Sequence, residues 1–287
     1  MAGTEGEGRK RGPWNVVFVI AIVVFVGSLI ALGIIAFSYL QGQQKYGEIA
    51  ETSDFDPNDL NDPDGLKQVA IDWDALKAVN PDTVGWIYMP ETKVNYPVVQ
   101  GQDNEHYLTY DFDGDQGWLA EYGAVFLDYR NKSDWSDQVS FIYGHHMNDG
   151  SMFADIAGLA DQARFDQCRT VYVLTPHGNY RLRSFSLVHC SAYDPIVETS
   201  FESPEAMTQY VQDKMDRSEV AVPDAPKASD ITKVFALATC DSNSSGRYVL
   251  FCYVVDTTAK GLAGEVGLSQ NPEGQTEGFD NGLEAVE

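Results

Sequence analysis

The sequence predicts a mainly β domain, folded as an eight-stranded closed barrel, that follows a single N-terminal transmembrane helix. Segments rich in β-branched and aromatic residues recur eight times after residue 83, which indicates eight strands. Only short helical patterns interrupt them. An apolar run without charged side chains lies near the start of the chain, from Val16 to Leu40. Eight strands in one domain suggest a closed barrel, and the apolar run predicts a membrane anchor.

The apolar run covers 25 residues, and as a helix it would extend about 37 Å, enough to cross a bilayer with some tilt. A signal peptide has a shorter apolar stretch, of roughly 7 to 15 residues, before a small-residue cleavage site. No such site follows this run, so we predict an uncleaved anchor rather than a signal peptide or a buried core helix. Arg9, Lys10 and Arg11 precede the run, whereas only Lys45 follows closely. The positive-inside rule therefore predicts a cytoplasmic N-terminus and an extracellular domain after Leu40.

The chain divides into five predicted segments. The stretch after the anchor is polar and acidic (DFDPNDLNDPDG), contains two prolines and has no periodicity, which is typical of a solvated linker. The end of the chain is rich in Gly, Glu, Asn and Gln and is predicted to be disordered. The segments are a cytoplasmic N-terminus (1–12), a transmembrane anchor (13–40), an acidic linker (41–65), the folded domain (66–258) and a disordered C-terminal tail (259–287).

The folded domain opens with a helix and continues with strands. Apolar residues over Leu66–Val79 recur at helical spacing, and Asn80-Pro81 ends the pattern. Two further helices are predicted, one over Ser151–Phe165 and one after Ser203-Pro204, where Ser suits the N-cap and Pro the first helical position. The predicted strands run over Val84–Met89, Val94–Val99, Ala124–Asp128, Gln138–Tyr143, Thr170–Thr175, Tyr180–Ser191, Lys233–Thr239 and Arg247–Asp256.

The charge balance bears on possible partners. Lys and Arg number 19 against 43 Asp and Glu, which gives a net charge of −24 at pH 7. Binding to nucleic-acid phosphate requires a basic face, so nucleic acid is not an expected partner. The apolar share of 44% is close to the globular average and excludes a wholly disordered chain.

The four cysteines differ in their sequence surroundings. An extracellular setting permits disulfides, but the sequence assigns no pairing, and a bridge between Cys168 and Cys190 stays open. Cys190 and Cys252 lie within apolar strand patterns, which is typical of buried, inert thiols. Cys240 ends an apolar strand (KVFALAT) and precedes a polar turn (DSNSSG). A thiol at such a strand end is accessible, as a nucleophile must be.

A cysteine nucleophile needs a proton acceptor and a group that stabilises the oxyanion of a tetrahedral intermediate. His145 lies just beyond the predicted strand Gln138–Tyr143 and supplies an imidazole in a loop. Arg247 begins the strand after Cys240, with six residues between them. That spacing predicts a hairpin in which Cys240 and Arg247 face each other across antiparallel strands.

These motifs resemble those of class B sortases. The resemblance is carried by LATC over Leu237–Cys240 with Arg247 on the next strand, by YGHHMNDGSMF from Tyr143, by PVVQGQDNEHYL from Pro97 and by AVFLDYRN from Ala124. It covers about two thirds of the chain, from the first predicted helix to the last predicted strand. It implies the eight-stranded sortase barrel and a membrane-anchored cysteine transpeptidase of Gram-positive bacteria.

The resemblance also implies a role for each residue of the site. Cys240 is expected to be the nucleophile, His145 the acid/base, and Arg247 the residue that binds the oxyanion or positions the substrate. The positions that would line the groove for the substrate are Asn104, Leu108, Ala238, Thr239 and Asp241.

The implied reaction joins proteins to an amine at the outer surface of the cell membrane. The enzyme would cleave a C-terminal sorting signal of a surface protein through a thioacyl-enzyme, and an amine of a peptidoglycan precursor or a pilin lysine would accept the protein. No cofactor or metal is expected. The doublet His145-His146 has no helical His spacing beside it to complete a metal site. The acidic loop over residues 111–115 lacks the Gly and Glu that an EF-hand calcium loop requires, so we predict a solvated loop.

Two alternatives from other classes stay open. A membrane-tethered cysteine peptidase would use the same Cys240 and His145 but release an acid, and a catalytically silent surface-binding module would bind without reacting. The loop between Cys240 and Arg247 is shorter than in the class B pattern, and Ala238 replaces a more usual Ser. Both departures bear on the choice of substrate rather than on the chemistry.

Overall fold

Eight β-strands form a closed barrel in a computed structural model that describes residues 13–62, 64–116, 122–240 and 246–260, apart from the side chains of Pro13, Asn15 and Cys240. Around the barrel the strand order is β1-β2-β3-β4-β7-β8-β6-β5. The strands are β1 Thr83–Tyr88, β2 Asn95–Val99, β3 Val125–Leu127, β4 Val139–Tyr143, β5 Thr170–Leu174, β6 Tyr180–Ser191, β7 Val234–Cys240 and β8 Gly246–Thr257. The predicted eight-stranded barrel is confirmed.

Two of the strand pairs are parallel, β2 with β3 and β4 with β7, and the other neighbours run antiparallel. A parallel pair needs a long crossover connection. The chain between β4 and β7 supplies one, and it contains β5, β6 and three helices. As a result, the carboxyl ends of β4 and β7 lie side by side at one end of the barrel.

Alternating residues of β4, β7 and β8 enter two apolar clusters. The inner cluster fills the barrel and includes Ile142, Leu237 and Leu250 from these three adjacent strands. The outer cluster lies on the opposite face of β4, β6, β7 and β8, where side chains of helix α7 (Pro204–Asp216) cover it. Because successive strand residues point to opposite faces, the two clusters show which positions of β4, β7 and β8 face outward.

Helix α1 covers Pro13–Thr52 and extends well past the predicted anchor. Within the described residues it is the one helix that is long and apolar enough to span a membrane, which suggests a membrane anchor. The predicted linker over 41–65 is therefore helical in its first part. Tyr46 and Ile49 lie one turn apart and are both buried in the inner cluster, so packing against the barrel continues the helix through a polar stretch.

The other helices are shorter than the sequence predicts. The predicted helix over 66–79 is two helices, α2 Gly65–Gln68 and α3 Trp73–Val79, because the side chain of Asp72 caps α3 by accepting a hydrogen bond from the Ala75 amide. Asp161 caps the second half of the predicted helix over 151–165 in the same way. The remaining helices are α4 His106–Thr109, α5 Ala154–Gly158, α6 Gln162–Gln167 and α7, which begins at Pro204 after the Ser203 cap, as predicted.

Candidate active site

The register of three adjacent strands brings the predicted catalytic positions to one end of the barrel. In the parallel pair of β4 and β7, Tyr143 is opposite Ala238, and the Gly144 amide donates a hydrogen bond to the Ala238 carbonyl at 3.1 Å. His145 and Cys240 each lie two residues beyond that pair. In the antiparallel pair of β7 and β8, Cys240 is opposite Arg247. The hairpin predicted between these two residues is therefore present.

The positions of Cys240 and Arg247 also share a face of the sheet. Ala238 and Val249 belong to the outer cluster, and Cys240 and Arg247 each lie two residues from one of them on the same strand. An even separation keeps a position on the same face of a strand. His145 lies in the loop just beyond β4. The side chain of Cys240 and the whole of Asp241 lie outside the described residues.

The imidazole of His145 is held by backbone on two sides. Its Nε2 lies 2.7 Å from the carbonyl oxygen of Leu108, at the end of α4. Because a carbonyl oxygen only accepts hydrogen bonds, Nε2 must carry a proton in this arrangement, which leaves Nδ1 as the nitrogen that can exchange one. Gly123 packs against the ring, since a Cβ there would lie 2.8 Å from Cδ2 of His145. Gly123 also has a φ of +55°, which favours glycine. Both the close approach to the ring and the backbone conformation therefore require glycine at this position.

Arg247 lies half-buried beside Tyr143 and Cys190. Its backbone pairs with Cys190 on β6 on one side and with Cys240 on the other. Burial raises the pKa of the Cys190 thiol above its usual range, although the positive charges of Arg217 and Arg247 oppose the shift. Cys190 therefore stays a neutral, unreactive thiol. Among the cysteine side chains that the structure describes, Cys168, Cys190 and Cys252 are all free and buried, so no bridge joins Cys168 to Cys190.

A buried carboxylate lies beside the outer face of β4. Asp128 accepts hydrogen bonds from Nδ2 of Asn104 at 2.9 Å, from the hydroxyl of Tyr143 at 3.0 Å and from the guanidinium of Arg130 at 2.9 Å on each oxygen. Its side chain is fully buried. Burial alone would raise its pKa, but the hydrogen bonds from Arg130, Asn104 and Tyr143 outweigh burial and hold the pKa below its usual range. We call this set the Asp128 network.

The Asp128 network holds one predicted substrate residue in place. The amide oxygen of Asn104 also accepts a hydrogen bond from the Tyr129 backbone at 3.0 Å, so both ends of the Asn104 side chain are fixed. The sequence analysis missed Asp128 as a member of the site. Its only signal was its place in the motif AVFLDYRN, because a burial-dependent network between distant segments leaves no spacing pattern in the sequence.

The other predicted substrate residues differ in exposure. Leu108 is 41% exposed and lies at the end of α4, next to the carbonyl that binds His145. Ala238 and Thr239 are almost completely buried. These two positions therefore offer almost no surface for direct contact with a substrate.

The structure also shows which cation contacts the acidic loop over residues 111–115. The carboxylates of Asp111, Asp113 and Asp115 all contact Nζ of Lys45, at 2.8, 2.6 and 2.9 Å. A single cation from helix α1 thus offsets part of the negative charge of this loop. Among the described residues, no group of three or more His, Cys, Asp or Glu side chains is arranged to hold a metal ion.

Comparisons with known proteins agree with this arrangement. No protein-family model matches the chain. The chain is 31% identical to sortase B of Listeria monocytogenes over 178 residues, which are 61% of this chain and 70% of the relative. It is similar to a crystal structure of sortase B from B. anthracis with a TM-score of 0.65 and 28% identity, over 77% of this chain and 99% of the other. A Staphylococcus aureus sortase B–substrate complex shares the fold, with a TM-score of 0.64 and 24% identity, over 77% of this chain and 99% of the other.

The barrel and its relatives together define the class of protein, a sortase-type cysteine transpeptidase. Within that class the chain belongs to the sortase B family, as the sequence motifs predicted.

Proposed function

We propose that this enzyme cleaves a C-terminal sorting signal of surface proteins through a thioacyl-enzyme on Cys240 and transfers the proteins to a cell-wall or pilin amine. One observation carries the proposal. The positions of Cys240, His145 and Arg247 lie at the same end of three adjacent strands, with Cys240 opposite Arg247 and His145 just beyond β4. A nucleophile, an acid/base and a cationic donor are the groups that acyl transfer through cysteine requires.

In the first half-reaction the thiolate of Cys240 attacks a backbone carbonyl of the sorting signal. A carbon–sulfur bond forms and the carbon–nitrogen bond breaks. His145 gives the leaving amine its proton. Nδ1 is the nitrogen assigned to this step, because the Leu108 carbonyl engages Nε2. Arg247 donates to the oxyanion that forms on the attacked carbonyl.

In the second half-reaction an amine attacks the thioester, and His145 accepts the proton that the amine loses. The carbon–sulfur bond breaks and the Cys240 thiolate is restored. One amide is exchanged for another, so the cycle consumes no oxidant, reductant or metal. The acceptor amine belongs to a peptidoglycan precursor or to a pilin lysine.

The sorting signal binds at the end of the barrel that carries these three positions. Leu108 offers exposed apolar surface, and the Asp128 network presents Asn104 in a fixed orientation. Asp241 completes the proposed groove, and the almost completely buried Ala238 and Thr239 support it beside Cys240. The substrate complex of the Staphylococcus aureus relative supports a site for a sorting signal on this fold.

The proposed topology places residues 1–12 in the cytoplasm and residues 41–287 outside. The basic residues before α1 and the apolar character of its first part support this orientation. Protease added to intact protoplasts should digest the barrel. Protection of the barrel until the membrane is permeabilised would show the opposite orientation.

The thioacyl-enzyme provides the direct test of the nucleophile. The full-length enzyme in detergent micelles is incubated with a library of candidate sorting peptides, and its intact mass is measured. An adduct is expected with the wild type and with Cys168→Ala, since Cys168 is a buried thiol whose pKa is raised by burial. The adduct should be absent from Cys240→Ala. An adduct that persists in Cys240→Ala would assign the nucleophile elsewhere.

A further inference from the structure

The membrane-proximal part of helix α1 contacts Gly123 and also the loop that carries His145. Gly123 packs against the His145 ring, because its missing Cβ lets the chain approach. We call the other segment the histidine loop and define it as residues 144–153. The loop closes on itself where the Phe153 amide donates a hydrogen bond to the His145 carbonyl at 2.8 Å.

Tyr46 makes the contact with Gly123. Its hydroxyl donates a buried hydrogen bond of 2.6 Å to the Gly123 carbonyl. The Tyr46 ring is buried and packs edge-on against Tyr96, with 5.3 Å between ring centroids. The Tyr96 hydroxyl in turn accepts a hydrogen bond from the Met152 amide of the histidine loop at 2.9 Å. One side chain of α1 therefore contacts Gly123 directly and the histidine loop through Tyr96.

A second set of contacts fixes the histidine loop to the same helix. Nε2 of Gln43 donates to the carboxylate of Asp149 at 3.0 Å. The Tyr122 hydroxyl lies 2.8 Å from that carboxylate and 3.0 Å from the Tyr39 carbonyl of α1. Helix α1 thus contacts the histidine loop at Asp149 and contacts Gly123 through Tyr46.

We propose that Tyr46 is a positioning residue, which holds the His145 ring through Gly123 and so makes the membrane-proximal helix part of the catalytic apparatus. This inference rests on the proposed function, in which His145 moves the proton. Without the Tyr46 hydroxyl, the Gly123 carbonyl loses its buried donor and the glycine is free to shift. The ring then keeps the Leu108 carbonyl but loses its packing against Gly123. Proton transfer falls because it depends on the ring's placement, whereas binding of the sorting signal does not.

The test compares two hydroxyl deletions on the same helix in the full-length enzyme. Tyr46→Phe removes the donor to Gly123 and keeps the ring, whereas the matched control Tyr39→Phe removes a hydroxyl that makes no hydrogen bond to Gly123. Tyr46→Phe should lower kcat about fivefold, which is the population shift from losing one buried neutral hydrogen bond. KM for the sorting peptide should stay within about twofold, as expected for a change in positioning alone. Tyr39→Phe should leave both constants unchanged. Equal kcat in all three proteins would overturn the proposal.

A spectroscopic measurement separates this proposal from the proposed function. The chain has five histidines, so ¹³C-labelled histidine gives a short spectrum in which His145 is assigned by its loss in His145→Gln. Tyr46→Phe should shift or broaden the His145 signal, and Tyr39→Phe should not. The His145 signal can be measured even if the wild type transfers no sorting peptide. Such a lack of transfer would refute the proposed function but not the positioning role of Tyr46. If the His145 signal in Tyr46→Phe has the same position and width as in the wild type, the positioning role is refuted, regardless of the measured transfer activity.

A third variant tests the same route from its far end. Gly123→Ala adds a Cβ that would lie 2.6 Å from the Tyr107 carbonyl oxygen and 2.8 Å from the His145 ring, so residue 123 must shift and the ring should be displaced even with Tyr46 intact. If Tyr46 acts through Gly123, adding Tyr46→Phe to Gly123→Ala should change kcat less than about twofold. If the fold-losses in kcat of the two single variants multiply in the double variant, Tyr46 does not act through Gly123.

Discussion

Replacing Asp128 with Asn tests whether the buried carboxylate organises the substrate side of the site. The two side chains have the same shape, but Asn is neutral and presents an NH₂ group in place of one oxygen. One oxygen of Asp128 accepts from Asn104, Tyr143 and Arg130, and the other accepts from the backbone and Nε of Arg130. Whichever way the amide turns, its NH₂ group faces at least two donors.

The size of the effect follows from burial. Breaking a buried ion pair by removing one charge costs ~3–5 kcal/mol. Asp128 is fully buried, but Arg130 is 44% exposed and regains water, so we expect the lower end of that range. A loss of ~3 kcal/mol corresponds to a fall in Tm of roughly 6–12 °C for a domain of this size. Asn104 also loses its anchor, so KM for the sorting peptide should rise while the rate of thiol alkylation at Cys240 stays the same.

The assay is thermal unfolding of the full-length enzyme, followed by peptide kinetics on the folded variant. Asp134→Asn is the matched control, because Asp134 is an exposed carboxylate that accepts hydrogen bonds only from nearby Ser136. Its Tm should stay within about 2 °C of the wild type, since surface substitutions cost little. If Asp128→Asn is as stable as Asp134→Asn, the Asp128 network does not hold the site together and the reasoning fails.

Three further predictions concern the catalytic positions and pH. Arg247→Lys should slow amide formation by ~10²- to 10³-fold while Cys240 still reacts with a small thiol reagent; near-normal rates would leave the oxyanion to backbone N–H groups. His145→Ala should abolish nearly all transfer, whereas His146→Ala should keep a measurable fraction, since the buried Nδ1 of His146 has no hydrogen-bond partner among the described residues; the reverse ranking would refute the assignment. The folded pKa of Asp128 lies below its ordinary value of 3.8, so its ionised form contributes stability above about pH 4 that is lost as the pH falls through the folded pKa. Denaturant unfolding should therefore show the stability gap between wild type and Asp128→Asn narrowing towards about pH 3, and a constant gap would contradict the cause given for the shift.

The strands could be predicted almost to the residue, and the helices could not. β-Branched and aromatic runs bounded by polar turns mark a strand locally, so each predicted strand end lies within one residue of the observed end. Helix α1 is the counter-example. Its residues after Leu40 are polar, and they stay helical because Tyr46 and Ile49 pack on the barrel. Only the tertiary contact supplies that stabilisation, and a local pattern does not record it.

Some residues of the candidate site could likewise be predicted from the sequence, and others could not. Cys240, His145 and Arg247 could be proposed from the sequence because a nucleophile at a strand end, an imidazole in a loop and an arginine across a hairpin lie in motifs that resemble those of class B sortases. Asp128 left only its place in one such motif and Tyr46 left no signal, since each acts by contacting a segment far away in the chain. Burial decides their importance, and burial of a polar side chain follows from the fold rather than from neighbouring residues.

The partition of product between amide and acid tests the central claim most directly. The full-length enzyme is incubated with a reactive sorting peptide from the library, with and without a nucleophilic amine, and the products are separated by mass. The account predicts that the amine diverts product from the acid to a new amide, and that both products disappear in Cys240→Ala. Acid alone, unchanged by any amine, would indicate a membrane-tethered peptidase. A peptide that binds Cys240→Ala and wild type equally and is never cleaved would indicate a binding module, and either result would contradict a transpeptidase.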